Sequence, residues 1–357
     1  MLGGLFVTLY DEKSLALYLK YGVYGFLMKP VCTDKVSSRS KHFSILADYA
    51  CTRKGSHVLF FLKRKIIYGG IISGNNTCAS FYLNGTTSPL GIKAKAPLFW
   101  DESSRYKSTS KEGVFFVDEK EKAQPFMLLF DKVSNLTGKQ ISSDEFYDEV
   151  GQFPFPLPSN SIQGMGFCTL TPGETKIAID LFASSEKRFS NLCQESMIQG
   201  EEKTIFHTDM IDLTSIINEA NLEYSLIADL QPISKLLPDK DYVLCRQVPI
   251  SPFKPYNMDR SDICLYSVNN PIRKGTLPNV VIELKRDIAT YKSFNQVCRY
   301  MKWLQKVTPP EQFNMITPII IANDFHIKLD KIEKDYLDDI ILYSLYKNKA
   351  YSVKDLK

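Results

Sequence analysis

A chain of 357 residues, 44% hydrophobic and 24% charged, has room for two domains and the composition of an ordinary globular protein. Its 44 Lys and Arg against 40 Asp and Glu leave a net charge of +4, too small to impose nucleic-acid binding by charge alone. No run of about 18 apolar residues occurs, which excludes a membrane-spanning helix, and the eight cysteines stand singly without a C-x-x-C pair, which argues against structural zinc.

The first nine residues lack the basic start and small-residue cleavage site of a signal peptide. With reduced thiols, a cytoplasmic chain is expected. Residues 5–10 alternate like a strand. Residues 12–21 follow as a short helix, with Asp11 as its cap and Gly22 as its stop. Gly22 to Phe26 is an aromatic strand or loop, and 39–51 is a second helix resting on Phe43, Leu46, Ala47 and Ala50. Lys54 to Lys63 and then Arg64 to Gly74 read as a strand, a short basic turn and a second strand, an antiparallel hairpin. Segments 96–100, 113–117 and 124–130 complete a small mixed β domain.

This order, with Val58-Leu59-Phe60-Phe61-Leu62 and Ile71-Ile72-Ser73-Gly74, resembles the PUA-like barrels that include EVE and YTH domains. The resemblance implies a mixed β-barrel that holds a flipped or single-stranded modified base in an aromatic pocket. On that implication Trp100 is the first candidate for stacking on a base, with Phe99, Tyr24 and Tyr82 behind it. The competing reading of each ring is plain core packing.

Residues 152–158 alternate Pro with apolar residues and are therefore extended, either a ligand for another protein or a loop over the first domain. Lys176 to Phe182 reads as a further strand. The polar stretch beyond it divides the chain into a recognition domain (1–185), a linker (186–211) and a second domain (212–357).

The second domain opens with a helix capped by Asp212 or Thr214, running through Ile216 to Ile227. It carries Glu219 and Glu223 four apart on one face, with Glu219 read as solvated. Tyr242 to Val248 is a strand, and Asp262 opens another. In the strand 279–285, Glu283 and Lys285 share one face while Val280, Ile282 and Leu284 share the other. Pairing of these strands lays Asp262 beside Glu283. Two such carboxylates repel unless they share a proton or a metal, and oxygen ligands suit Mg²⁺ or Mn²⁺. A hard cation beside a lysine is a set of parts for phosphodiester hydrolysis. A helix follows, with Phe294, Val297, Cys298, Met301 and Leu304 on its buried face. Met315 to Ala322 reads as a strand broken at Pro318, and Asp335 to Leu345 as a closing helix. None of the four histidines has a ligand-spaced partner.

Asp262, then Glu283-Leu284-Lys285, then a helix with Gln296 and Tyr300, resembles the PD-(D/E)XK nuclease superfamily, in its NucS-like and RecB-like branch. No Pro precedes Asp262, a departure from that pattern. The resemblance implies an α/β core in the order α-β-β-β-α-β-α. Asp262, Glu283 and the Leu284 carbonyl would bind Mg²⁺ or Mn²⁺, with Glu223 joining directly or through water. Lys285 would position the attacking water, Gln296 would orient the water or a carboxylate, and Arg260 and Arg299 would hold phosphate. The expected protein is thus an α/β chain with a PUA-like barrel before a nuclease domain. Its expected activity is that of a restriction or phage-defence endodeoxyribonuclease selecting modified DNA, with RNA and homodimerisation left open. Two other readings stay open at this point: a nucleic-acid-binding module with an idle core, and an effector gated by a nucleotide.

Overall fold

The computed structural model describes residues 2–26, 36–72, 82–83, 126–153, 167–190, 216, 218–252, 259–326, 331–332 and 335–356. Its first half runs β1 (Gly4–Thr8), α1 (Glu12–Tyr21), β2 (Val23–Gly25), α2 (Val36–Cys51), β3 (His57–Leu62), β4 (Lys65–Ile72), β5 (Tyr82–Leu83), β6 (Phe126–Asp131), β7 (Gln140–Ser142), α3 (Ser143–Gly151), β8 (Phe167–Leu170) and α4 (Pro172–Ser184). The mixed sheet follows the order β2-β6-β4-β3-β1-β8, with β5 on β6 and β7 on β4. β1 pairs in parallel with β3 and antiparallel with β8, so Leu5, Phe6 and Val7 are buried on both faces.

Local chemistry sets the boundaries. The Asp11 carboxylate accepts from the Ser14 N–H at 2.7 Å, and Gly22 ends α1 at φ 63. On the edge away from β3, β4 passes from β7 to β6 across Gly70, where an added Cβ would lie 2.2 Å from the Asp131 carbonyl oxygen. The β3–β4 turn places Lys63 (φ 50) and Arg64 (φ 62) in the left-handed region, at a cost of roughly 1–3 kcal/mol each.

Residues 176–182 belong to a helix, not the expected strand. Thr171 caps α4, Pro172 occupies its first turn, and Glu174 returns a bond to the Thr171 N–H at 2.8 Å, forming a capping box. Tyr24 also departs from expectation. It is buried in the core, stacked on Phe167 at 5.6 Å and edge-on to Tyr18, so it lines no base pocket. Only the backbone of Tyr82 is described, and Trp100, Phe99 and the segments 96–100 and 113–117 lie outside the described residues. So do 154–166 and 191–215, which hold most of the Pro-spaced run and of the expected linker.

The second half runs α5 (Glu219–Ala228), β9 (Tyr242–Ser251), β10 (Asp259–Ser267), β11 (Val280–Leu284), β12 (Ile288–Thr290), α6 (Tyr291–Val307), α7 (Pro310–Phe313), β13 (Thr317–Ala322), β14 (Asp324–His326), β15 (Ile341–Ser344) and β16 (Lys349–Ser352). Its sheet has the order β16-β15-β13-β11-β10-β9. β9, β10 and β11 are antiparallel, while β11, β13 and β15 are parallel. α6 buries Phe294, Val297, Cys298, Met301 and Leu304 against this sheet. Asn218, not Asp212 or Thr214, caps the described helix α5 through a 2.9 Å bond to the Asn221 N–H. β13 runs unbroken through Pro318, because pairing with β15 begins only at Ile319. The expected closing helix over 335–345 is a short 3₁₀ turn, Leu337–Asp339, followed by β15. The branched and aromatic run Ile340 to Tyr343 prefers the pleated state.

The halves share one core. Tyr49, Phe167, Leu222, Tyr224, Ile263 and Leu284 belong to a single buried cluster, and the Phe43 ring lies 5.9 Å from Tyr224. The edge strands β8 and β9 touch through the Arg246 N–H, which donates to the Thr169 hydroxyl at 3.3 Å. Among the described residues, no helix is long and apolar enough to cross a membrane.

Burial pushes the Glu174 carboxyl up to about 7, against the pull of its bonds to Thr171. A raised carboxyl binds its proton more tightly in the folded state, so its effect is a stability loss as pH rises from about 4.5 to about 7. Glu174→Gln keeps the capping geometry and removes the titration. Urea unfolding across this window should show a shallower decline for the variant, with the difference approaching about 3 kcal/mol above neutrality.

Candidate active site

Ile263 pairs with Ile282 across β10 and β11, so the next step toward the strand ends sets Asp262 against Glu283. There side chains take over from the ladder. Asp262 Oδ2 accepts from the Leu284 N–H at 2.7 Å. The Ser261 hydroxyl donates between the carbonyls of Ile263 and Ile282, at 3.0 and 3.1 Å.

Glu283 is 2% exposed. Its Oε1 accepts from Lys285 Nζ at 2.8 Å, and its Oε2 from the Tyr300 hydroxyl at 2.8 Å. The same lysine donates to the Leu284 carbonyl at 2.8 Å and stands 3.8 Å from Glu219. Tyr300 also lies 2.6 Å from the Arg260 carbonyl and accepts from Gln296 Nε2 at 2.5 Å. Gln296 thus orients Tyr300, and through it Glu283.

Burial pushes the Asp262 carboxyl well above the usual range, and the nearby charges of Glu283 and Glu223 push it further. Glu283 is likewise raised by burial, with Lys285 pulling the other way. Burial lowers the Lys285 ammonium, but Glu283 and Asp262 outweigh it and leave it raised. Both carboxyls are thus held toward their protonated forms.

Gln247 stands in β9 opposite Asp262, with φ 51. Its amide donates to Asp262 Oδ1 at 3.0 Å and to Glu223 Oε1 at 3.2 Å. A strained backbone supporting a bridging side chain is typical of functional sites. Next to it, Arg246 grips both oxygens of Glu223, at 3.0 and 2.6 Å, and reaches Asp48 at 3.0 Å and Ser44 at 3.1 Å. Burial lifts Asp48 to about 6, against the pull of Arg246. Burial also works against the Arg246 charge, yet Asp48 and Glu223 prevail and raise its pKa.

Glu223 accepts from Arg246 at both oxygens and meets Asp262 through Gln247. Arg299 spends its fork on buried Asp259, at 2.6 and 2.9 Å, instead of pointing at a phosphate. Arg260 does line the cavity beside Asp262, and burial lowers its pKa. That cavity, about 440 Å³, lies between the halves: Ser44 and Asp48 from α2 and Phe167 and Cys168 from β8 face Asp262 and Glu219.

Asp48, Arg246 and Gln247 are absent from the sequence-derived site. One signal for them exists: a polar pair interrupting the apolar run of β9, and a lone acid within Ile45 to Ala50. Glu219 is exposed, as a solvated residue should be, with Lys285 3.8 Å away. Among the described residues, no three or more of His, Cys, Asp and Glu converge as a ligand cluster. Asp262, Glu283 and the Leu284 carbonyl offer oxygen atoms, the donor type that suits a hard divalent cation. The Lys285 ammonium already bridges Glu283 and that carbonyl, where a hard cation fits chemically. Comparison with protein-family models, curated proteins and solved structures finds no match to this chain.

Arg246→Met strands two buried carboxylates and should destabilise the protein by about 3–5 kcal/mol. Adding Asp48→Asn or Glu223→Gln should restore part of that loss. Urea unfolding of the single and double variants measures the coupling.

Proposed function

We propose that this chain is a divalent-metal-dependent endonuclease that hydrolyses phosphodiester bonds in DNA. The observation that carries the reading is the buried pair Asp262 and Glu283 with the Lys285 ammonium on Glu283 and the Leu284 carbonyl. Asp262, Glu283 and the Leu284 carbonyl would hold Mg²⁺ or Mn²⁺. When bound, such an ion stabilises charge developing on the phosphoryl group and lowers the pKa of water.

The chain's own groups do the rest. Lys285, 26% exposed at its side chain, can turn from Glu283 toward solvent, orient the attacking water and offset developing negative charge. Tyr300 fixes Glu283 by donating to Oε2, and Gln296 fixes Tyr300. Gln247 and the Leu284 N–H fix the two oxygens of Asp262. Arg260, on the cavity wall, is the group to receive a phosphate.

The finer fold belongs to the same proposal: a PUA-like recognition barrel before a PD-(D/E)XK nuclease domain. The order α5-β9-β10-β11-α6-β13, with short β12 and α7 interposed, supports the second part, although the strand β15 stands where that pattern has its last helix. The first half also lends Ser44, Asp48, Phe167 and Cys168 to the cavity, which supports its selecting the DNA, modified bases included. A restriction or phage-defence role follows from that pairing. One observation favours a binding module with an idle core: every oxygen of Asp262 and Glu283 already has a hydrogen-bond donor.

Purified protein with Mg²⁺ or Mn²⁺ should cut DNA from a phage with modified bases in preference to unmodified DNA. Lys285→Ala and Asp262→Asn should each slow cutting by roughly 100-fold or more while leaving a folded protein, checked by circular dichroism below the melting transition. Tight binding with no cutting under any divalent ion would move the assignment to the binding module.

A further inference from the structure

The β3–β4 turn sets three cations in a row, Lys63, Arg64 and Lys65. Its two central positions are left-handed, a conformation suited to Asn or Gly, yet they hold a lysine and an arginine. Beside the turn, residues 187–190 run along β7. The Gln140 N–H donates to the Lys187 carbonyl at 2.9 Å, and the Phe189 N–H to the Gly138 carbonyl at 2.8 Å. Arg188 is anchored there by its guanidinium, which donates to the carbonyls of Thr137 and Asn135 at 3.3 and 3.4 Å.

Between turn and segment lies a recess of about 210 Å³, lined by Lys63, Lys65, Gln140, Arg188 and Ser190, with Glu12 its one acid among the lining residues. Two cations of the turn are paired, Lys63 with Glu12 at 3.0 Å and Arg64 with Asp144 at 2.7 Å. Both pairs are largely exposed, with lysine and arginine side chains at 68% and 76%, so an incoming anion can replace these carboxylates at little cost.

The recess lies at the same end of the sheet as the acidic cavity. Val7 pairs with both Phe60 and Phe167, which puts the end of β3 level with the start of β8. From β4 to β8 is three strand spacings, roughly 15 Å, and Asp262 stands further on, past β9 on β10.

We propose that this basic recess docks the phosphodiester backbone of a nucleic acid several nucleotides from the bond at Asp262 and Glu283. The proposal rests on nucleic acid being the substrate, but it concerns binding and is testable without a divalent ion.

Fluorescence anisotropy with a labelled DNA duplex in EDTA, over a range of NaCl concentrations, provides the test. Lys65→Glu with Arg188→Glu should weaken binding about tenfold or more and make the slope of log K against log salt shallower by about two. Lys347→Glu with Lys354→Glu changes the net charge equally at exposed lysines elsewhere, and should leave that slope unchanged. Arg188→Lys keeps the cation, gives up the fork to the two carbonyls, and should bind like the wild type. Equal losses in the two double variants, or a loss with Arg188→Lys as large as with Arg188→Glu, would overturn the proposal. So would wild-type binding that ignores salt. A protein that binds with the expected slopes but cuts nothing with Mg²⁺ or Mn²⁺ keeps the recess and loses the nuclease. One that cuts while Lys65→Glu with Arg188→Glu binds normally loses the recess alone.

Discussion

One buried guanidinium holds the two halves of this protein to a common site. The Arg246 side chain is 8% exposed, where an unpaired charge costs several kcal/mol. It is satisfied only when α2 brings Asp48 from one side and α5 brings Glu223 from the other. Gln247, the next residue, carries the position of Glu223 on to Asp262. The catalytic candidate on β10 is therefore registered against a helix of the first half. Mispacking of α2 would be felt at Asp262 without any direct contact between them.

The parts of this arrangement that were legible in the sequence are the local ones. Strand alternation alone puts Glu283 and Lys285 on one face, and helical spacing alone gives the buried side of α6. The adjacency of Asp262 and Glu283 follows from antiparallel pairing of neighbouring strands. Arg246 and Asp48 are 198 residues apart, and no periodicity connects them. The φ of 51 at Gln247 is equally silent, since nothing in a glutamine announces a left-handed backbone. Helical spacing gives the face of Glu223, but its partner Arg246, 23 residues on, is not visible from it. For α4 the signal was present and outweighed: Thr171-Pro172-Gly173-Glu174 spells a helix start, while the apolar run after it resembles a strand.

Charge is distributed unevenly over the fold. Asp48, Glu219, Glu223 and Asp262 crowd the cavity between the halves, met by Arg246 and Arg260. The basic recess at the β3–β4 turn has the opposite balance. A small net charge thus conceals local regions of opposite sign. An extended polyanion would be held at the positive one and admitted to the negative one only where a cation neutralises it.

Tyr300 has one hydroxyl proton and two acceptors, the Arg260 carbonyl at 2.6 Å and Glu283 Oε2 at 2.8 Å. Gln296 already donates to the oxygen, so the proton can serve only one of them at a time. With Glu283 ionised, the hydroxyl turns to the carboxylate and the β10 carbonyl loses its donor. With Glu283 protonated, the acid supplies its own hydrogen to the phenol oxygen, and the phenol turns to the carbonyl. Tyr300 is therefore a rotor whose direction reports the charge of Glu283 to the backbone carbonyl of Arg260.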